Sequence, residues 1–75
     1  EAYYGRGCAY FAKRDYDNAI QDFSRAIALE PRQQKAYHWR GRAYEAKGEG
    51  RKARADFWKA TLLSLRRPKA SVMSQ

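Results

Sequence analysis

The stretch AYYGRGCAYFAKRDYDNAIQDFSRAIALEP, residues 2–31, decides the fold, because it returns 34 residues later as AYHWRGRAYEAKGEGRKARADFWKATLLSL, residues 36–65. The two copies align without a gap. The positions that repeat are Tyr3, Gly7, Tyr10, Ala19, Phe23 and Ala26, which return as Tyr37, Gly41, Tyr44, Ala53, Phe57 and Ala60. A fixed period of this length predicts one supersecondary unit that stacks on a copy of itself.

Each copy contains two amphipathic stretches, which predict two helices joined by a short break. The expected helices cover about residues 2–13, 16–29, 33–47 and 51–65. Asp15 suits the N-cap of the second helix, and the break Gly48-Glu49-Gly50 lets a glycine adopt the left-handed conformation that ends a helix. Short breaks force neighbouring helices to run antiparallel. The predicted fold is therefore all-α, with tandem antiparallel helix hairpins.

The spacing of these residues resembles the tetratricopeptide repeat. The first unit reads Tyr3-x3-Gly7-x2-Tyr10-x8-Ala19-x3-Phe23-x2-Ala26-x4-Pro31, and the second unit repeats the pattern from Tyr37 to Ala60. The resemblance implies an α-solenoid with one repeat at residues 1–33 and a second at residues 34–67. Residues 68–75 would then form a short tail, which we expect to be flexible.

Glycine and alanine at these spacings allow two helices to approach closely, and the aromatic side chains fill the gaps around the contacts. One feature of both units departs from the family pattern. Arg6 and Arg40 stand where the family commonly has leucine, and Asp22 and Asp56 precede the aromatic residue of each second helix. We expect each arginine to reach an aspartate across the helix pair or the unit interface.

The first helices of tetratricopeptide arrays line a concave groove, and the resemblance implies that a peptide from a partner protein binds there. The register assigns to this groove Glu1, Tyr4, Cys8, Phe11 and Ala12 from the first unit and Lys35, His38, Trp39, Arg42, Glu45 and Ala46 from the second. Aromatic rings beside cations are typical anchors for a bound peptide. The alternative is that the aromatic rings are packed at helix ends, with a surface histidine and solvated charges around them.

One family subtype is not favoured by these residues. The members that bind chaperones hold a C-terminal carboxylate with a Lys/Asn/Asn/Lys/Arg set, and here Cys8 and Trp39 stand at the two asparagine positions. Arg42 still offers a group that can pair with a carboxylate.

The second unit is expected to end the array, because Leu65 replaces the boundary proline and residues 68–75 lack the repeat residues. This leaves Trp58, Leu62 and Leu65 without an obvious cover. We interpret them as a possible self-association surface. A symmetric homodimer is the leading interpretation of that surface. A flanking segment or the tail folding back are the alternatives.

The net charge of +8 is unevenly distributed. Residues 1–34 carry five cations and five acids, whereas residues 35–75 carry eleven cations and three acids. A basic surface can attract acidic peptides or nucleic acid. Nucleic-acid binding is the less favoured interpretation, because the cations are scattered over several helix faces. No apolar run approaches the roughly 20 residues that cross a bilayer, so no membrane insertion is expected.

The sequence offers no set of catalytic residues. One histidine, one cysteine and no phosphate-binding glycine loop do not make a nucleophile with its base, so no enzyme activity and no cofactor are expected. Cys8 has no second cysteine and no close histidine, so no disulfide or metal site is expected. The chain is interpreted as a piece of a longer protein that starts inside a repeat, and a soluble, cytoplasmic module is favoured.

Overall fold

A computed structural model describes residues 2–65 of the chain, and these residues form helices without any strand. The helices are α1 (Ala2–Ala12), α2 (Tyr16–Leu29), α3 (Gln34–Ala46) and α4 (Gly50–Leu65). The predicted all-α class is confirmed, and the four predicted helices agree with the observed bounds to within a residue. The expected tail at residues 68–75 and the groove residue Glu1 lie outside the described residues.

The helices pack as sequential hairpins, with α1 on α2, α2 on α3 and α3 on α4. Two contacts show that α3 runs antiparallel to α2. Lys47, just after α3, pairs with Asp17 in the first turn of α2, and the Tyr37 hydroxyl near the start of α3 donates to the carbonyl of Pro31, beyond the end of α2. The first unit therefore stacks on the second through α2 and α3.

Small residues allow the close helix packing. Ala19, Ala26, Ala36 and Ala43 are completely buried. A Cβ atom on Gly7 would lie 2.8 Å from the ring of Phe23, which is also completely buried. A Cβ atom on Gly41, the equivalent glycine of the second unit, would lie at the same distance from the ring of Phe57. The predicted close approach at the glycines is thus confirmed, since no side chain fits there.

The breaks between the helices are made by different residues in the two units. Asp15 caps α2, where its carboxylate accepts hydrogen bonds from the backbone and side-chain nitrogens of Asn18. Gly48 adopts the left-handed conformation expected of it, with a φ of 85°. Arg14 occupies the same position in the first unit and adopts the same region with a φ of 66°. The left-handed conformation costs a residue other than glycine about 1–2 kcal/mol.

The predicted arginine–aspartate contacts are present in both units. Arg6 donates two hydrogen bonds to Asp22, at 2.7 and 2.9 Å, and Arg40 donates two to Asp56, both at 2.8 Å. Both aspartates are buried. Each pair joins the first helix of a unit to the second helix of the same unit, so a buried carboxylate is satisfied by a bidentate guanidinium.

Candidate functional site

The first helices of the two units, α1 and α3, contact each other and bring together aromatic side chains from both. The ring centroids of Phe11 and Trp39 lie 5.4 Å apart in an edge-to-face arrangement. Phe11 also packs edge-to-face on Tyr16 at 5.3 Å, and His38 packs edge-to-face on Trp39 at 5.4 Å. Such pairs prefer this geometry, because the positive edge of one ring meets the negative face of the other.

An open cavity of about 350 Å³ lies beside this aromatic cluster. Its lining is Cys8, Phe11 and Ala12 from α1 with Trp39 and Arg42 from α3. The volume lies in the range of small ligand pockets. The lining is mainly apolar with one charged group at the edge, an arrangement that fits an apolar side chain flanked by a carboxylate.

Tyr4 joins the cavity lining to the core. Its ring lies 5.9 Å from the ring of Phe23, and its hydroxyl lies near the side chains of Cys8 and Trp39. Burial raises the pKa of Tyr4 above its usual value of 10.0, so the hydroxyl stays protonated at neutral pH. Tyr4 therefore lies between the core and the side chains that line the cavity.

Arg42 is exposed at the edge of the cavity. Its guanidinium carbon lies 5.3 Å from the centre of the Trp39 ring, which is the range of a cation–π contact. Arg42 forms no ion pair with any acid among residues 2–65. Its donors therefore face solvent, where they can bind a carboxylate from a partner.

The predicted groove residues do not all come together. One cavity is lined by Cys8, Phe11, Ala12, Trp39 and Arg42, and Tyr4 and His38 lie beside it through their contacts with Trp39. Lys35 and Glu45 are exposed and make no side-chain hydrogen bond or ion pair within the described part of the chain. Ala46 is exposed as well. Lys35, Glu45 and Ala46 therefore do not line this cavity.

Two supporting residues were not predicted for this site. Tyr16, in the first turn of α2, contacts Phe11, and Phe57 of α4 lies 5.7 Å from the ring of His38. Both belong to second helices, whereas the family register assigns the groove to first helices alone. The sequence does contain a signal for the contact of Tyr16: this residue directly follows the helix break, and a short break returns the chain to the end of α1.

The residues predicted for self-association lie on α4. The Trp58 side chain is 62% exposed and Leu65 is 73% exposed, while Leu62 is half-buried. Within residues 2–65, no group of three His, Cys, Asp or Glu residues is arranged to hold a metal ion. None of the described helices has the length and apolar character needed to span a membrane.

Comparison with known proteins identifies the repeat. Residues 1–33 match the family described as Tetratricopeptide repeat, and the four helices are consistent with two such repeats. Members of this family are generally protein–protein interaction modules and are usually scaffolds without catalytic activity. No curated protein matches the chain.

Proposed function

We propose that this chain, which carries a tetratricopeptide repeat at residues 1–33, binds a peptide segment of a partner protein in the groove between α1 and α3. The cavity formed by Cys8, Phe11, Trp39 and Arg42 is the observation that carries the proposal. It holds an apolar side chain of the peptide, and Arg42 pairs with a neighbouring carboxylate.

The aromatic lining supports this proposal energetically. Phe11 and Trp39 are held by edge-to-face contacts with each other and with Tyr16 and His38, so little side-chain freedom is lost when a peptide binds. Tryptophan and arginine at the centre of an interface often contribute most of its binding energy. Trp39 and Arg42 are in contact, so one peptide residue can reach both.

Selection of a random peptide library on the whole chain tests the proposal. Wild type is compared with Trp39→Ala and Arg42→Glu, each first shown by circular dichroism to be folded. We expect the wild type to enrich a shared motif with an apolar residue beside an acid. Fluorescence anisotropy of an enriched peptide should show at least about tenfold weaker binding to Trp39→Ala, because truncation removes a central anchor.

Arg32→Glu is the matched control, because it makes the same charge change as Arg42→Glu at an exposed residue of the α2–α3 connection. It should leave binding of the enriched peptide within about twofold of wild type. Failure of the wild type to enrich any motif contradicts the proposal. Equal enrichment by Trp39→Ala contradicts the placement of the peptide at this cavity.

A second candidate function is assembly through α4, and the exposure of Trp58 on this helix favours it. The homodimer expected from the sequence is one form of such assembly. Its measurement is the mass of the chain by light scattering over a range of concentrations, with Trp58→Ala as the comparison.

A further inference from the structure

The first unit shows how a second helix is covered in this molecule. We define the outer face of α2 by Asp17, Ser24 and Pro31, and α3 covers this face. Lys47 pairs with Asp17, Arg40 donates to the Ser24 hydroxyl at 3.0 Å, and Tyr37 donates to the Pro31 carbonyl at 3.0 Å. Along α2 these contacts run from its start to beyond its end, so the covering helix is antiparallel.

The second unit presents the same face with different chemistry. In place of Asp17, Ser24 and Pro31, the residues 34 positions later are Arg51, Trp58 and Leu65. All three are exposed, and none is covered by another described helix. We define the outer face of α4 by these residues with Arg54, which replaces Ile20. A helix that docks on α4 would lie against Arg51 and Arg54, whereas the chain at the end of α3 pairs with Asp17 of α2 through Lys47.

Arg51 and Arg54 lack acidic partners among residues 2–65, whereas Lys52 pairs with Glu49. Arg51 lies in the first turn of α4, where the helix dipole adds partial positive charge, and Arg54 follows directly after that turn. The one acid of α4, Asp56, is buried against Arg40. The first half of the face therefore attracts negative charge, while Trp58 and Leu65 provide apolar surface in the second half.

A second copy of this chain is poorly suited to the face. If α1 of another copy docked as α3 docks on α2, its Lys13 would take the place of Lys47 and face Arg51. Parallel pairing of α4 with α4 of another copy would bring Arg51 and Arg54 opposite their own counterparts, and antiparallel pairing would supply no acid to either arginine, because the one acid of α4 is buried against Arg40. Like charges oppose association in the first two arrangements, and the third leaves both arginines unpaired.

We propose that the outer face of α4 binds an antiparallel amphipathic helix of a partner protein, with a carboxylate near its C-terminal end and apolar residues toward its N-terminal end. The carboxylate lies opposite Arg51 and Arg54, and the apolar residues pack on Trp58 and Leu65. The antiparallel arrangement also places the negative end of the partner helix dipole beside the positive end of α4. This surface is separate from the groove between α1 and α3.

Two stapled helical peptides test the proposal, because α3 supplies the template of the docked helix. Both have the sequence of residues 34–47, and one carries Lys47→Glu; the staple lies on the opposite side from Tyr37, Arg40 and Lys47. Binding to the whole chain is measured by fluorescence anisotropy. The Lys47→Glu peptide should bind at least about fivefold more tightly than the unchanged peptide, since a repulsive pair becomes attractive. This preference should shrink as the salt concentration rises.

Variants of the chain locate the bound peptide. Arg51→Glu should reverse the preference between the two peptides, and Arg32→Glu, an equal charge change in the connection at the other end of the hairpins, should keep it. Trp58→Ala should weaken binding of both peptides at least about fivefold while the exposed site leaves the fold intact. Trp39→Ala should change neither, which separates this face from the groove.

Three results would overturn the proposal. The first is equal binding of the two peptides, or no binding of either. The second is a preference that survives Arg51→Glu. The third is a wild-type dimer at micromolar concentration that Trp58→Ala dissociates, which would make a second copy the occupant of this face.

Discussion

The two units have the same packing residues but are unequally covered. Tyr3 of the first unit is 36% exposed, whereas Tyr37 of the second is 8% exposed. Ala9 is exposed, and its equivalent Ala43 is completely buried. The difference arises because α2 packs on this face of α3, while no described helix packs on the same face of α1. In a stacked array, burial of a residue is therefore set by the neighbouring unit as much as by the residue type.

The arginine–aspartate pairs show the same inequality. The Arg6 side chain is 54% exposed and shares Asp22 with Arg25, which is also well exposed. The Arg40 side chain is 20% exposed, and its third hydrogen bond goes to Ser24 of the preceding unit. The Arg6 pair thus lies at the solvent boundary, whereas the Arg40 pair is also covered by the preceding unit, so that loss of a partner is more costly there.

Removal of the aspartates should cause the largest difference in stability between the two units. Asp56→Ala should lower the free energy of unfolding by about 3 kcal/mol, because Arg40 would keep a mostly buried charge without its carboxylate. Asp22→Ala should lower it by about 1 kcal/mol, since water can solvate Arg6 and Arg25. Urea unfolding followed by circular dichroism measures both values.

Asp17→Ala is the control for these losses, because it removes an exposed carboxylate that pairs with Lys47. Its effect should stay below about 1 kcal/mol. Equal losses for Asp56→Ala and Asp22→Ala would show that the cover by α2 does not set the strength of the pair. An unchanged stability of Asp56→Ala would refute a stabilising role for the contact altogether.

Acid titration should reveal how much the ion pair of Asp22 contributes to the stability of the fold. Hydrogen bonds from Arg6 hold the pKa of the Asp22 carboxyl below its usual value of 3.8. Because this pKa is lower in the folded than in the unfolded chain, the ionised carboxylate stabilises the fold fully above about pH 5. That contribution is lost as the pH falls below the usual value and through the folded pKa. The urea midpoint should therefore fall between pH 5 and pH 2, and less steeply in Asp22→Asn.

Glu49→Gln is the matched control for the titration. Lys52 and Lys47 also lower the pKa of Glu49, but these contacts lie closer to solvent than the carboxylate of Asp22. This variant should follow the wild-type decline more closely than Asp22→Asn does. If wild type and Asp22→Asn decline in parallel, ionisation of Asp22 does not contribute to the pH dependence.

The 34-residue period made the helices, the close glycine contacts and both arginine–aspartate pairs predictable, because each depends on contacts within one unit. The meeting of Phe11 and Trp39 across the units followed from the family register. The support from Tyr16 and Phe57 was not predicted, since it depends on how far the second helices reach around the first. The separation of Lys35 from the cavity was likewise not predicted, because spacing along a helix does not fix where a long side chain points.

The smallest expected effect concerns the position where the breaks of the two units differ most. Arg14 and Gly48 share the left-handed conformation, which a side chain disfavours and glycine tolerates. Arg14→Gly should raise the free energy of unfolding by about 0.5 kcal/mol, because relief of strain outweighs the entropy that glycine adds to the unfolded chain. Gly48→Ala should lower it by about 1 kcal/mol. Lys13→Gly is the control in urea unfolding, since Lys13 has a negative φ and should only lose stability. A loss of stability in Arg14→Gly would show that the first break does not strain the chain.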